Sequence, residues 1–597
     1  MNSWLTYLKQ GLSRKLPRDR FGGKEEYPGL GETFRTLRPY VRPYRPMITT
    51  GLLLVVLTSL LALPQPLVIR YIVDEVMLQR QRELLLGALA LLVCITLGSK
   101  AARMLGEFSF ANLEKRITLD IQTDLVEHTL RLPKAFFDEN QTGYLMSRLS
   151  SDVEELRWFF SSTIVHIIGN VFRFFGGTVL LFYLEWRLAS AVILLVPAIL
   201  LCLKYFSAKV LSLSHHGMER EAKVTMNLKE ALSSTALIKS SASEEKTVAG
   251  LVSGLKEALH LAMERVAVGS VANLAVNSIP GLMGLVVLGI GAAWVIRGEW
   301  SLGSLLAFQA YTGYVFGPAQ ALATANLQMQ EAVAGLQRIS NLFALVPEEG
   351  LGKGKVAHRL EGEVEFRDVS FSYDGREPLL KDCSFHVRAG EHVGVVGPSG
   401  AGKTTLLSLI MGLYRPAQGE IFFDGIPVSE YEIGSLRERI GYVSQNVRLL
   451  SGTIKENLLL GRADATEEDL ARACQAAGIH EFIVNLPGGY ETQVGEEGVL
   501  LSEGQKQRLA LARTLVRDPD ILVLDEPTSS QDGKTERAIM ESLPEFSRGK
   551  TMFLVTNRLE ALEGMSMVLF LREDGALVRG THGMLWESSE LYRALVK

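Results

Sequence analysis

Residues 397–405 read Gly397-Pro-Ser-Gly-Ala-Gly-Lys-Thr-Thr405. Glycines at 397, 400 and 402, with Ser399 and Ala401 between them, let successive backbone N–H groups turn toward the phosphates of a nucleotide. Lys403 adds a point charge there, Thr404 offers a hydroxyl to Mg²⁺, and Thr405 opens the following helix. The flanks fit, because 392–396 is a short apolar run predicted as a buried strand and 405–411 is predicted as a helix. The loop therefore decides the fold of the second half of the chain, a P-loop α/β domain that binds ATP.

A second apolar run, 521–524, ends in Asp525 and Glu526. A carboxylate at that place can hold Mg²⁺ and its neighbour can orient an attacking water, which is the arrangement for hydrolysis. Between the two motifs stands Leu501-Ser-Glu-Gly-Gln505, which resembles the Leu-Ser-Gly-Gly-Gln signature of ATP-binding cassette (ABC) proteins. The resemblance, to ABC exporter half-transporters, extends over nearly the whole chain after Gly31. It implies that two cassettes close head to tail over two ATP molecules, with Ser502, Gly504 and Gln505 contacting the γ-phosphate held by the opposite cradle. It also implies that Tyr373 stacks on adenine, that Gln445 senses Mg²⁺, and that Asp532 ends the loop crossing to the other cassette.

Two positions depart from the family's pattern. The segment 555–559 reads Val-Thr-Asn-Arg-Leu where the family has His, so Asn557 can donate a hydrogen bond at the γ-phosphate but can carry no proton or charge. Slow hydrolysis is expected, with Glu526 still present. The second is Glu503, where a carboxylate near triphosphate is repulsive unless it turns to solvent or to Lys506 or Arg508.

The chain has 597 residues, 47% of them hydrophobic, with the apolar excess before about residue 345. That length predicts at least two domains. Four scattered cysteines indicate neither a disulfide scaffold nor a zinc site, and nothing signals nucleic-acid binding. Charge-free apolar stretches at 47–69, 84–99, 188–203, 266–296 and 301–330, with a sixth at 174–184 that needs Arg173 and the preceding turns, predict six spans. The basic residues before the first span fit the positive-inside rule, placing both termini and the ATPase in the cytosol of a multi-pass protein of the cytoplasmic membrane. The outer connections are short. The inner ones, 103–158 and 204–265, have helical periodicity, and 132–149 and 230–245 are similar to the coupling-helix regions of ABC exporters. Residues 136–143 are thus expected to touch a cassette surface.

The resulting division is a cytosolic segment 1–30, an all-α transmembrane domain 31–345, a linker 346–359 and a cassette 360–597. His166, Asn170 and Arg173 share one helix face within the third span and make a candidate substrate stripe. The expected activity is ATP-driven export or flipping of a small amphipathic substrate by a dimer, in contact with membrane lipid. The partner is a second half-transporter, identical or different. A weakened-site subunit of a heterodimer and an ATP-gated channel are the alternatives.

Overall fold

The computed structural model describes residues 2–13, 37–140, 142–158, 164–373, 377–495, 501–527 and 547–596. The chain divides into two compact units, one made of residues 1–127 with 143–344, the other of 128–142 with 345–597.

The first unit is helical throughout its described residues. Leu37–Met77, Arg82–Leu130, Ile167–Leu184, Trp186–Ser233 and Glu244–Ile296 have the length and apolarity to cross a bilayer. The expected sixth span falls on the helix Leu302–Phe343, part of whose side chains lie outside the described set. Because ~20 helical residues cross a hydrocarbon core, helices of 49, 48 and 53 residues extend well beyond one.

The first span is not the uninterrupted helix that 47–69 suggests. It breaks between Arg45–Ala62 and Gln65–Tyr71, where Pro66 has no N–H to give the carbonyl of Ala62. Tyr314 supplies that donor at 3.2 Å, and Tyr311 donates to Leu63 O at 2.5 Å. The close approach needs glycine: a Cβ on Gly177 would lie 2.9 Å from Tyr314 Cβ. The amino-terminal helix Asn2–Ser13 lies within this unit against Glu244–Ile296, where Gln10 meets His260 at 3.0 Å.

The second unit contains a sheet of β1 (Val364–Phe371), β2 (Leu380–Val387), β4 (Gln418–Phe423) and β5 (Ile426–Pro427) in the order β2-β1-β4-β5. A larger sheet is made of β3 (His392–Val396), β6 (Ile440–Val443), β9 (Ile521–Asp525), β10 (Thr551–Val555), β11 (Met567–Leu571) and β12 (Leu577–Gly580), in the order β12-β11-β3-β10-β9-β6, while β7 (Gly452–Thr453) and β8 (Gln493–Val494) form a short antiparallel pair of their own. β11, β3, β10, β9 and β6 run parallel. β9 is buried at every position because both faces are covered, which is why it reads as an unbroken apolar run. Val523 belongs to one hydrophobic core with Phe553, Val393 and Leu406, while Leu522 and Leu524 belong to another with Leu509, Leu458 and Leu554. Burying each such side chain stabilises by about 1.5–3 kcal/mol.

Residues 128–142 belong to this unit. Pro133 stops the preceding helix in an extended conformation and opens the short helix Lys134–Glu139. Its Asp138 accepts a hydrogen bond from Lys134 Nζ at 2.6 Å and another from Tyr414 Oη, and Lys134 lies over the Tyr414 ring. The stretch 346–359, expected as a linker, is docked. Glu348 forms a two-point pair with Arg437 at 2.8 and 2.5 Å, its N–H bonds Arg131 O at 2.8 Å, and Glu432 accepts from Gly352 N at 2.9 Å.

Candidate functional site

Strand order alone brings the motifs together. β3, β10, β9 and β6 are neighbours and parallel, so the residues that follow them emerge along one edge, the usual ligand edge of an open α/β sheet. The phosphate loop follows β3, Asn557 follows β10, Asp525 ends β9 with Glu526 just after it, and Gln445 follows β6. Val555 of β10 is registered against Val395 on one side and Asp525 on the other.

In the loop, Gly400 and Gly402 take φ of +83° and +96°, a left-handed region that side chains with a Cβ rarely adopt. Gly400 faces open space, so a side chain there would project outward. Ser399, Gly400 and Thr404 are exposed, whereas Gly397, Ala401, Gly402 and Thr405 are buried. Lys403 folds back over its own loop, donating to Gly397 O at 2.7 Å and Pro398 O at 3.0 Å. It thus rests on neutral carbonyls at the mouth of the cradle. The helix starts at Lys403 rather than Thr405, so the N–H groups of its first turn also face the loop, favourable for an anion.

Thr404 Oγ1 donates to Asp525 Oδ2 at 3.0 Å. Burial pushes the Asp525 carboxyl above its ordinary range, against the Thr404 bond and the charge of Lys403. Nearby Tyr442 is pushed up to about 12 by burial and by Asp525. A hydroxyl and a buried carboxylate sharing one point are hard oxygen donors of the kind Mg²⁺ takes, so the residues fit that ion. Glu526 holds φ at +48°, an uncommon backbone for a residue with a side chain, and its Oε2 accepts from Gln445 Nε2 at 2.8 Å. Asn557 is exposed two residues beyond β10.

Ser502, Gly504 and Gln505 sit elsewhere. Ser502 caps the helix Glu503–Val516, its hydroxyl accepting from Gln505 N at 3.3 Å while its N–H donates to Gln505 Oε1 at 2.9 Å. Glu503 is the first helical residue, where a negative charge is favoured, and its carboxylate binds Lys506 Nζ at 2.8 Å. Of the two basic neighbours expected, Arg508 instead donates to Gly478 O at 2.7 Å. Tyr373 differs from a free stacking platform, since its hydroxyl is 3.0 Å from Thr405 Oγ1 and its ring meets Phe371 and Tyr414 edge-on at 4.8 and 5.4 Å. Sequence reading missed Tyr414; an aromatic directly after the phosphate-loop helix was its available signal. Asp532 lies outside the described residues. In the third span Asn170 and Arg173 line one cavity, while nothing is described of the His166 side chain.

Comparison with known proteins completes the picture. Residues 48–319 match the ABC transporter transmembrane region, and residues 380–529 match the ABC transporter domain. The chain is 31% identical over 568 residues to YgaD of Bacillus subtilis (strain 168), which carries a provisional multidrug export ATP-binding/permease name, covering 93% of this chain and 97% of that one. The chain belongs to the ABC exporter family. The exporter is also 28% identical over 567 residues to the ATP-dependent lipid A-core flippase of Syntrophus aciditrophicus (strain SB), covering 95% and 94% of the two chains. The solved structure of a bacterial Atm1-family ABC exporter with ATP bound matches it with a TM-score of 0.80 at 25% identity, over 92% of the exporter and 98% of that chain. The exporter is thus a multi-pass membrane protein that binds nucleotide, couples ATP hydrolysis to transport, and works as a dimer of half-transporters.

Proposed function

We propose that the exporter moves an amphipathic substrate, a lipid or a drug-like molecule, outward across the cytoplasmic membrane, with both termini and the cassette in the cytosol. The names of the flippase and multidrug relatives support the substrate class. The observation that carries the mechanism is the convergence of four parallel strands on one edge. There the glycine-rich loop and Lys403 hold the phosphates, and Thr404, Asp525 and Gln445 are the residues that would hold Mg²⁺, which when bound neutralises charge on the phosphate oxygens. Glu526 orients and deprotonates the attacking water, and its Gln445 bond ties that carboxylate to the same cluster. Asn557 donates to the γ-phosphate. Tyr373 receives the adenine, trading its edge contacts for a stacked one. Ser502, Gly504 and Gln505 complete the site of the second half-transporter.

A weakened-site role in a heterodimer is favoured by one observation, Asn557 in place of the family's His. In a homodimer both sites carry Asn557, whereas in a heterodimer it acts only at this chain's own cradle. Subunit composition of the native complex distinguishes the two. Export itself is tested by ATP-dependent accumulation of a fluorescent amphiphile in sealed inside-out vesicles, lost in Glu526→Gln. Passive leak that ATP merely switches on would overturn it in favour of a gated channel.

A further inference from the structure

The amino-terminal helix Asn2–Ser13 stands before the first span and outside the matched transmembrane region, which begins at residue 48. At 12 residues it is marginal alone in water, so its contacts with Glu244–Ile296 and Trp186–Ser233 hold it. Tyr7 and His260 meet with ring centroids 4.9 Å apart. His260 Nε2 lies 3.0 Å from Gln10 Oε1 and 3.2 Å from the carboxylate of Glu264, which is fully buried. Gly11 makes a close approach: a Cβ there would lie 2.8 Å from Val268 Cγ2 and 3.3 Å from both Glu264 O and Leu213 Cδ1.

At about 100° per residue the helix has three faces. Tyr7, Gln10 and Gly11 form the docked one. Trp4, Leu5, Leu8 and Leu12 follow it round as a continuous apolar face, on which Trp4 and Leu5 are 42% and 46% exposed. Thr6, Lys9 and Ser13 make the third, and Lys9 is exposed. The level of docking matters as much. The apolar stretch of Glu244–Ile296 starts at residue 266, so at ~1.5 Å per residue His260 lies about 9 Å outside it and Val268 about 3 Å inside. Headgroup layers are roughly 5–8 Å deep on each side of a hydrocarbon core. A helix with one protein face, one apolar face and one polar basic face, held at that level, matches an in-plane interfacial helix. Charge agrees: the first 18 residues carry Lys9, Arg14, Lys15 and Arg18 and no acidic residue, the complement of an anionic leaflet.

We propose that this helix is a strap between the bilayer and the long helix Glu244–Ile296, its apolar face seated in the inner leaflet and its basic face on anionic lipid phosphates. Trp4 and Leu5 enter the acyl chains, and Lys9 pairs with phosphate oxygens. Tyr7, Gln10 and Gly11 pass that grip to His260 and Glu264. Residues 244–265 continue away from the membrane as one arm of the helix pair that ends at Thr235–Ser240, so the strap fixes the base of that arm. Lipid composition thereby becomes an input to hydrolysis: anionic lipid holds the strap down, and the arm moves as one body with its span. Which leaflet is involved rests on the topology proposed above.

The test uses the full-length exporter in nanodiscs of phosphatidylcholine, with or without phosphatidylglycerol. Cys94 and Cys202 are replaced by Ala, Cys383 and Cys474 being buried, and spin labels are placed at Leu5→Cys or Lys9→Cys. The label at 5 should collide mainly with oxygen, which concentrates among acyl chains, and the label at 9 with a water-soluble nickel chelate. Nickel collisions at both positions overturn the proposal by placing the helix in water. Collisions with neither reagent at position 5 overturn it by placing protein there, such as a second half-transporter. In unlabelled protein, phosphatidylglycerol should raise steady-state hydrolysis about fivefold, the scale of one basic residue at an anionic surface. Lys9→Glu and Gly11→Leu should each remove that gain, Lys9→Arg should keep it, and the KM for ATP should not change; a merely structural role would lower the rate equally in both lipids. Should Gly11→Leu fail to fold, deletion of residues 2–13 decides. A gain that persists in the deletion overturns the proposal, as does an equal rate of the parent in both lipids. The topology fails separately, if an impermeant thiol reagent reaches Lys9→Cys from outside intact cells.

Discussion

The two compact units treat their charged groups in opposite ways. In the nucleotide unit each charged side chain of the site rests on a short-range partner: Lys403 on two carbonyls, Asp525 on Thr404, Glu526 on Gln445, Glu503 on Lys506. In the helical unit Arg173 lines a cavity with Arg103, Glu107 and Glu114, its Nε without a hydrogen bond among the described residues. The first arrangement can exchange one good partner for another when ligand arrives, so the site survives empty at little cost. The second has no such resting bond to exchange at the Arg173 Nε among the described residues.

The largest effects should come from breaking the resting partnerships. Lys403→Ala should abolish nucleotide binding, measured by equilibrium titration with a fluorescent ATP analogue. Glu526→Gln should leave binding within a few-fold and lower phosphate release by ~10²–10⁴-fold, the range of a lost general base. Parental hydrolysis in that variant would mean another group activates the water.

Next in size is Asn557→His. A protonatable ring at the end of β10 adds a charge-assisted donor worth about 1–3 kcal/mol, so steady-state hydrolysis should rise by roughly ten- to a hundredfold where this chain supplies the working site. No rise in a purified homodimer would show that another step limits turnover.

How much of this was legible in the sequence follows the same division. The phosphate loop was readable because backbone geometry demands glycine at Gly400 and Gly402, and both hold positive φ. Asp525 was readable because β9 ends where its apolar run ends. The Gln445–Glu526 bond joins residues 81 positions apart, and no local pattern announces such a contact. For Tyr373 the motif order supplied a position but no orientation, since the ring's edge contacts depend on Tyr414, which no motif singled out. In the helical unit hydropathy gave span lengths and little else. The break at Pro64 and Pro66 is stabilised by Tyr311 and Tyr314, more than 240 residues away, and a hydropathy window cannot see it. Arg103 lines one cavity with Arg173 for a similar reason, because only the packing of the helices brings the two together.

A moderate effect is expected at the Tyr414–Asp138 bond. Burial raises the Asp138 carboxyl, but its bonds to Lys134 and Tyr414 outweigh that and hold it below the ordinary range. Stability from this carboxylate is therefore present above its unfolded pKa and is lost as pH falls through the lower, folded value. Tyr414→Phe and Asp138→Asn should each weaken substrate-stimulated hydrolysis a few-fold, and a double-mutant cycle on thermal stability should give a coupling of about 1 kcal/mol. Zero coupling at neutral pH would break the link between this short helix and the nucleotide unit.

The smallest effect should be at Glu503. Its pair with Lys506 is exposed on the Glu503 side, and such pairs are worth about 0–1 kcal/mol. Glu503→Gly should change hydrolysis by no more than about fivefold. A larger gain would mark the carboxylate as a brake on the opposite site.

The short helix Lys134–Glu139 also bears on how such proteins can be cut and recombined. A cassette severed at residue 345 loses Asp138 and Lys134 from the Tyr414 face and leaves Glu348 without the carbonyl of Arg131. A graft between two relatives should therefore carry two pieces of chain, 128–142 and everything from 345 onward, as one cargo. The modular seam of this molecule runs through its sequence twice, and a single splice would leave each product holding part of the other.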